Sequence, residues 1–343
     1  MINLLLIILI LLSTSYGLTH LIVQFARKKK FLDHPNYRSS HKLPTPRIGG
    51  LAFVVVLNLY FLFLIITGFI PASLGLALIV PPTLLASVGL LDDIYQLSNK
   101  LRLAVQFIAV AVVLIIIQPW DAFKTFSGPI TVIFAILLAF WLVWLINLFN
   151  FMDGIDGFAG AESIFILLSL SLLHWLHNDQ HLWWWIVALS ALPVFGFLFL
   201  NWPPAKIFMG DIGSTYLGLL LGIFILVAVK TGISLWSCLI LAGIFLCDAT
   251  WTLFTRILTR QKWFLAHRSH SYQKLAAQYN SHLKVTLSTL CINLGWLLPI
   301  AVIVEFYPGT GWWMTAVAYG PLLLICFMVK AGLPSTTQQE YAS

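Results

Sequence analysis

Asp92 and Asp93 stand side by side at the end of one apolar run, and Asp153 and Asp156 lie three apart in Asn150-Phe151-Met152-Asp153-Gly154-Ile155-Asp156-Gly157. Asp211 falls in Phe208-Met209-Gly210-Asp211-Ile212-Gly213-Ser214, and Asp248 sits inside a further apolar run. A carboxylate at membrane depth is costly and usually marks function. Six at one depth repel one another unless a divalent cation, Lys or Arg, or protons compensate. Hard oxygen ligands beside phosphate are the usual setting for Mg²⁺, so the pattern points to a metal site handling a phosphorylated ligand.

Spacing divides the roles. Neighbours on a helix end point about 100° apart, so Asp92 and Asp93 are expected to split their duties rather than share one ligand atom. Asp153 and Asp156, three apart, are expected on one face of a helical turn, with the flanking glycines allowing close approach. Gly210, Gly213 and Ser214 precede the next helix and would offer backbone N–H groups to an anion while Asp211 reaches a metal. Residues 255–285 add Arg256, Arg260, Lys262 and His267-Arg268-Ser269-His270-Ser271-Tyr272-Gln273, cations and imidazoles suited to a phosphorylated, base-bearing ligand. His34 to Gly50, with Arg38, His41 and Lys42, is too rich in Pro and polar residues for a helix and is expected as a loop.

These residues need elements to hold them, and the composition says which. The chain of 343 residues is 60% hydrophobic and 9% charged, with a mean hydropathy of +0.94. An ordinary soluble domain carries about 25% charged residues. A polytopic all-α membrane protein follows, and the basic balance of +7 reports orientation and lipid headgroups rather than nucleic acid. Apolar runs near 3–25, 49–70, 74–91, 103–118, 129–149, 158–176, 182–201, 215–229, 234–254, 286–304 and 312–329 predict eleven transmembrane helices. The first has no basic residue before it and Arg27-Lys28-Lys29-Lys30 after it, the pattern of an anchor with its N-terminus outside rather than of a cleaved signal. Alternate threading then puts 17 of the 19 Lys and Arg, and the C-terminus, on the cytoplasmic side. Chemistry is expected there, in loops near 27–48, 92–102, 150–157, 202–214 and 255–285 of one membrane domain spanning 1–343. The four cysteines all lie in apolar runs without metal-type spacing, so no disulfide is expected.

The blocks His34 to Gly50, Leu91-Asp92-Asp93 with Leu97, Lys100 and Gln106, Asn147 to Gly157, Phe208 to Ser214, and Asp248 followed by Arg256 and His270 occur in one order. In this combination the chain resembles the polyprenyl-phosphate N-acetylhexosamine-1-phosphate transferases (glycosyltransferase 4 type), and its eleven spans look like the O-antigen and common-antigen branch. The resemblance implies transfer of a sugar 1-phosphate from a UDP-N-acetylhexosamine to undecaprenyl phosphate, with release of UMP. It also implies Mg²⁺, with Mn²⁺ as a substitute, and an active site on the cytoplasmic face of the cell inner membrane. Asp211 is the first expected metal ligand, completed by Asp153 with Asp156 near it. Asn150 would position the nucleotide, and Asp92 or Asp93 would accept the phosphate proton. Lys100, Arg38, His41 and Lys42 would hold the lipid phosphate. Gly213, Ser214, His267, Arg268 and His270 would contact the donor. One departure stands out: His267 replaces the Asp of the family's Asp-Arg-x-His-x-His pattern, and Tyr272 and Gln273 stand where further histidines would. The partners expected are these two substrates and the bilayer, no nucleic acid, and in some assemblies a second copy of the chain. The contrasting readings are an ion-coupled transporter, whose carboxylates should lie at mid-membrane in repeated halves, and a family member acting in peptidoglycan lipid synthesis.

Overall fold

Apolar runs of this length satisfy their backbone within hydrocarbon by forming helix. The computed structural model describes residues 4–29, 31–33, 44–122, 128–177, 183–262 and 267–334. Its helices are α1 (Leu4–Lys29), α2 (Gly50–Ile66), α3 (Ala72–Tyr95), α4 (Asn99–Ile117), α5 (Pro129–Met152), α6 (Phe158–Leu176), α7 (Trp183–Asn201), α8 (Asp211–Lys230), α9 (Leu235–Leu241), α10 (Gly243–Leu258), α11 (Ser271–Tyr279), α12 (His282–Ile292), α13 (Leu298–Phe306) and α14 (Gly311–Met328). The fold is all-α and polytopic, as expected. Among the described residues, nine helical stretches are long and apolar enough to cross a membrane, and ten if a bent pair counts as one span. The predicted runs each fall on a helix, but two differ from a plain span. The 17-residue α2 is short, about 25 Å of helix. The 234–254 run is broken into α9 and α10, bent by 76°.

The break between α9 and α10 is supported from α14. At the bend the Tyr319 hydroxyl donates to the Leu239 carbonyl at 2.6 Å, satisfying a backbone group next to the break. Gly243 lets α14 approach, since a Cβ there would sit 3.0 Å from the Tyr319 ring. α12 and α13 run on through a π turn at Asn293–Leu297, so the last-but-one span is His282–Phe306.

α8 is the centre of the bundle. Of its most apolar 18-residue stretch 94% is buried, against 22% for α1, which turns Leu5, Leu6, Leu9, Ile10 and Leu21 outward. α2, α3, α5 and α6 pack around it. Small residues set these approaches: Gly50 of α2 meets Gly213 of α8, where an added Cβ would lie 2.4 Å from Cα, and Gly89 of α3 meets the backbone of Asp211. A buried polar chain, Tyr216 to Asn58 at 3.0 Å and Asn58 to Thr83 at 2.8 Å, ties α8, α2 and α3 together below the site.

One end of the bundle gathers the functional segments. Residues 44–50 lie against 207–209, with the Gly49 amide donating to Phe208 O, Gly50 to Met209 O and Phe208 to Pro46 O, all within 2.9 Å. Leu32–Asp33 pairs with Thr45–Pro46 as a two-residue antiparallel bridge at the same end. Arg38, His41 and Lys42, expected to hold lipid phosphate, lie outside the described residues.

Candidate active site

α3 and α4 form a hairpin in which Asp92 Oδ1 accepts from the Leu97 amide at 2.6 Å, and Ser98 caps α4 by accepting from Leu101 N. That geometry places residues on either side of the turn face to face. Arg102, one turn into α4, reaches back to Asp92 Oδ2 at 2.5 Å and across to Asp211 Oδ2 at 3.1 Å, and also binds Asn99. Asp211 opens α8, where its other oxygen accepts from Asn150 Nδ2 at 2.7 Å; the same amide nitrogen donates to Ser214 Oγ at 3.1 Å. One turn before Asn150, Asn147 pairs with Gln106 of α4 through Nδ2 to Oε1 at 2.7 Å, fixing α4 against α5.

Asp93 takes a different course. Its carboxylate lies at the start of α8, beside the amides of Asp211 and Ile212, where the helix's own Gly210 offers no side chain. Its Oδ2 is buried and has no hydrogen-bond partner. Gly210, at φ +76°, faces that oxygen: a Cβ there would lie 2.7 Å from it. The Arg47 guanidinium donates to the Asp93 backbone carbonyl. The pair is thus divided: Asp92 is committed to Leu97 and Arg102, while Asp93 keeps one oxygen free.

Asp153 ends α5, and its carboxyl is pushed well above the ordinary range, by burial first and then by the negative charges of Asp211, Asp93 and Asp156. Asp92, Asp93, Asn150, Asp153, Asp211 and Ser214 therefore come together as expected from sequence. Among the described residues no three His, Cys, Asp or Glu side chains are arranged to hold an ion unaided. Mg²⁺ is typically held by one or two carboxylates with substrate phosphates and water supplying the rest. Asp153 and the Asp211 charge beside it, which no cation contacting Asp153 offsets among the described residues, fit such an ion.

Four expectations are corrected. Residues 153–157 form a turn, not helix, so Asp153 and Asp156 do not share a helical face. Asp156 instead accepts from Ala205 N at 3.0 Å and lies 3.2 Å from His282 Nδ1. The amides of Gly213 and Ser214 are spent on the Gly210 carbonyl, so these two residues offer no free backbone donor to an anion; Gly213 serves packing. Asp248 is not in the acidic cluster. It is buried and accepts from Ser271 N at 2.9 Å, Tyr272 N at 3.0 Å, His270 Nδ1 at 3.2 Å and Thr252 at 3.1 Å, capping α11. Arg256 turns from the cluster as well, donating to Gln261 and the Lys262 carbonyl and so shaping the 259–262 turn.

The 267–273 segment still borders the site. His270 stacks on His267 with ring centroids 5.0 Å apart, and Tyr272 stacks on Phe158 and donates to the Phe151 carbonyl at 2.8 Å beside Asp153. Gly154 leaves room for that hydroxyl. Burial, then His270 and Arg256, push His267 down to about 3, so its ring is neutral at physiological pH. Arg268 is half-buried in this segment, and Lys100 is exposed on the first turn of α4. The residue that sequence reasoning missed is Arg102. Its signal was its position: Arg102 and Asp92 stand five residues either side of Leu97 in a short hairpin.

The family described as glycosyl transferase family 4 matches residues 75–229, a stretch running from α3 through α8 and including Asp92, Asp93, Asp153 and Asp211. A probable undecaprenyl-phosphate N-acetylglucosaminyl 1-phosphate transferase of Bacillus subtilis (strain 168) is 30% identical over 318 residues, covering 89% of this chain and 85% of its own. This chain belongs to glycosyl transferase family 4. As a family 4 member it is a membrane transferase, and its acidic cluster at one end of the bundle, not at mid-span, sets it apart from the transporter reading. The undecaprenyl-phosphate alpha-N-acetylglucosaminyl 1-phosphate transferase of Escherichia coli (strain K12) is also 30% identical, over 88% of this chain and 85% of its own. Similarity to the phospho-N-acetylmuramoyl-pentapeptide-transferase of Streptococcus mutans (serotype c, UA159) is 28% and covers 52% of this chain.

Proposed function

We propose that this family 4 transferase moves an N-acetylhexosamine 1-phosphate from its UDP-sugar to undecaprenyl phosphate, releasing UMP, as the initiating step of O-antigen or a related cell-envelope polysaccharide. The observation that carries the reading is the meeting of Asp92 and Asp211 on Arg102, with Asp93 and Asp153 close to Asp211, at one end of the bundle, in a chain aligned over most of its length with transferases named for this reaction. The two N-acetylglucosaminyl relatives align over far more of the chain than the muramoyl-pentapeptide enzyme, which favours the polysaccharide branch over peptidoglycan lipid synthesis.

The transferring phosphoryl group accumulates charge on its oxygens, and catalysis consists mainly of positioning and electrostatic stabilisation. Asp211 and Asp153 would hold Mg²⁺, which when bound neutralises the donor pyrophosphate. Asn150 orients Asp211 through its 2.7 Å hydrogen bond. Arg102 supplies a planar cation between Asp92 and Asp211, from which it can turn to a phosphate. Asp93, with its free oxygen, is the residue of the pair placed to accept a proton from the lipid phosphate. A phosphate monoester with second pKa near 6 is mostly dianionic at neutral pH, so that assistance matters chiefly below about pH 7. The distribution of Lys and Arg, 17 of 19 on the side of the acidic end by alternate threading, supports a cytoplasm-facing site at the inner membrane through the positive-inside rule.

Purified protein incubated with Mg²⁺, undecaprenyl phosphate and a panel of UDP-sugars tests the proposal by UMP release. Release with one or more UDP-N-acetylhexosamines, dependent on the lipid, supports it and names the sugar. No release with any donor overturns it.

A further inference from the structure

Asp156 is held from three directions, and one of its holders is a residue outside the acidic cluster. Its Oδ2 accepts from Ala205 N at 3.0 Å, in the segment that leads to Gly210 and Asp211. Its carbonyl accepts from Thr286 Oγ1 at 3.2 Å, and its amide donates to His282 Nδ1 at 3.4 Å, while Oδ1 lies 3.2 Å from the same nitrogen. His282 and Thr286 are one turn apart at the start of α12, so they present one face to the turn. The next amide, Gly157 N, donates to Asn201 Oδ1 at 3.1 Å. The 153–157 turn that carries Asp153 is therefore fixed at its far side by α12, not by the site itself.

We propose that His282 is a positioning residue for sugar-phosphate transfer: by gripping Asp156 it sets the turn that presents Asp153 to the reacting phosphates. The inference rests on the transferase reading above. The grip is insensitive to the ring's charge. A neutral imidazole accepts the Asp156 amide proton, and a protonated one donates to the carboxylate from the same nitrogen. Everything depends on Nδ1, because that is the atom in contact. Displacing a reacting group by about 1 Å can lower turnover about a hundredfold, which bounds the effect expected when the grip is lost.

The position of Nδ1 gives a test that a merely structural role would not pass. Asn places a polar atom where Nδ1 stands, whereas Gln places one where Nε2 stands. His282→Asn, His282→Gln and His282→Ala are purified in detergent, and two quantities are measured: amide exchange of the peptide spanning 151–160 without substrate, and kcat and KM for UMP release. The expected result is faster exchange and a ten- to hundredfold fall in kcat, with KM changed less than threefold, for Gln and Ala, and near wild-type values of both for Asn. Equal losses in all three variants, faster exchange with unchanged kcat, or wild-type behaviour of His282→Ala would each overturn it. If wild type releases no UMP with any donor, the transferase reading itself falls and this inference with it, whereas active wild type with unaffected variants removes the inference alone.

Discussion

Arg102 and Asp211, 109 positions apart, meet at 3.1 Å, and the same guanidinium nitrogen lies 2.5 Å from Asp92. One cation thus stands between two carboxylates that would otherwise face each other. Truncating it leaves both uncompensated and removes a phosphate-sized fork from the site. Arg102→Ala should lower kcat about a hundredfold or more, and Arg102→Lys, which keeps charge but not the fork, about tenfold. Steady-state UMP release on both variants checks this; wild-type rates in Arg102→Ala would mean that the ion pair is only structural.

Asp92 and Asp93 should behave differently. Asp92→Asn keeps an acceptor for Leu97 N and weakens the hold on Arg102. Asp93→Asn removes the free oxygen that faces Gly210. If Asp93 takes the lipid phosphate proton, Asp93→Asn should regain activity relative to wild type as pH rises past about 6–7, where the substrate ionises unaided. Asp92→Asn should show a loss independent of pH. Gly210→Ala, strained at φ +76° and placing Cβ 2.7 Å from the Asp93 oxygen, should resemble a severe Asp93 defect. Parallel pH profiles for the two Asn variants would defeat the division of roles.

Much of this arrangement was legible in the chain. The apolar runs gave the helices, and the spacing of Asp92, Asp93, Asn150, Asp153, Asp211 and Ser214 gave most of the cluster, because those residues end or start helices that alternate in direction. What could not be read is which carboxylates have other work. Asp248 looked like a membrane-depth ligand, but it caps α11, which begins 23 residues later and whose position depends on the bend between α9 and α10. Asp156 turned to His282, 126 residues on, a contact that no local periodicity encodes. Arg102 went unnoticed because a charge in the first turns of a helix usually reads as a solvated face, and only the hairpin brings it onto Asp92.

Asp153 gives a pH and metal signature. Its folded carboxyl is raised above the ordinary range, so the neutral form is the one the fold favours, and its contribution to stability is full below the unfolded carboxylate pKa and lost as pH rises through the folded value. Metal-free protein should lose thermal stability between pH 5 and pH 8. Mg²⁺ competes with that proton, so its stabilising shift in Tm should grow over the same interval. Thermal unfolding at both pH values, with and without Mg²⁺, should show this in wild type and much less of it in Asp153→Asn. A pH-independent Mg²⁺ shift, or none, would speak against Asp153 as a ligand.

The orientation is open to direct labelling. Gln278 is exposed on α11 at the acidic end, and Gly309 lies at the opposite end with nothing within 4 Å of an added Cβ. In intact cells a cysteine at Gly309 should react with an impermeant maleimide and one at Gln278 should not. The reverse pattern would turn the protein over in the membrane and put the site outside.

Asp211→Asn in the lipid-dependent UMP-release assay is the most direct test of the transferase proposal, because the substitution keeps the volume of the side chain while removing the charge that pairs with Arg102 and that, on the proposed reading, would hold Mg²⁺. Wild type should release UMP in a lipid-dependent way that stops in EDTA and returns with Mg²⁺, and Asp211→Asn should lose two or more orders of magnitude that added Mg²⁺ does not restore. Full activity in EDTA, or wild-type turnover by Asp211→Asn, would contradict it.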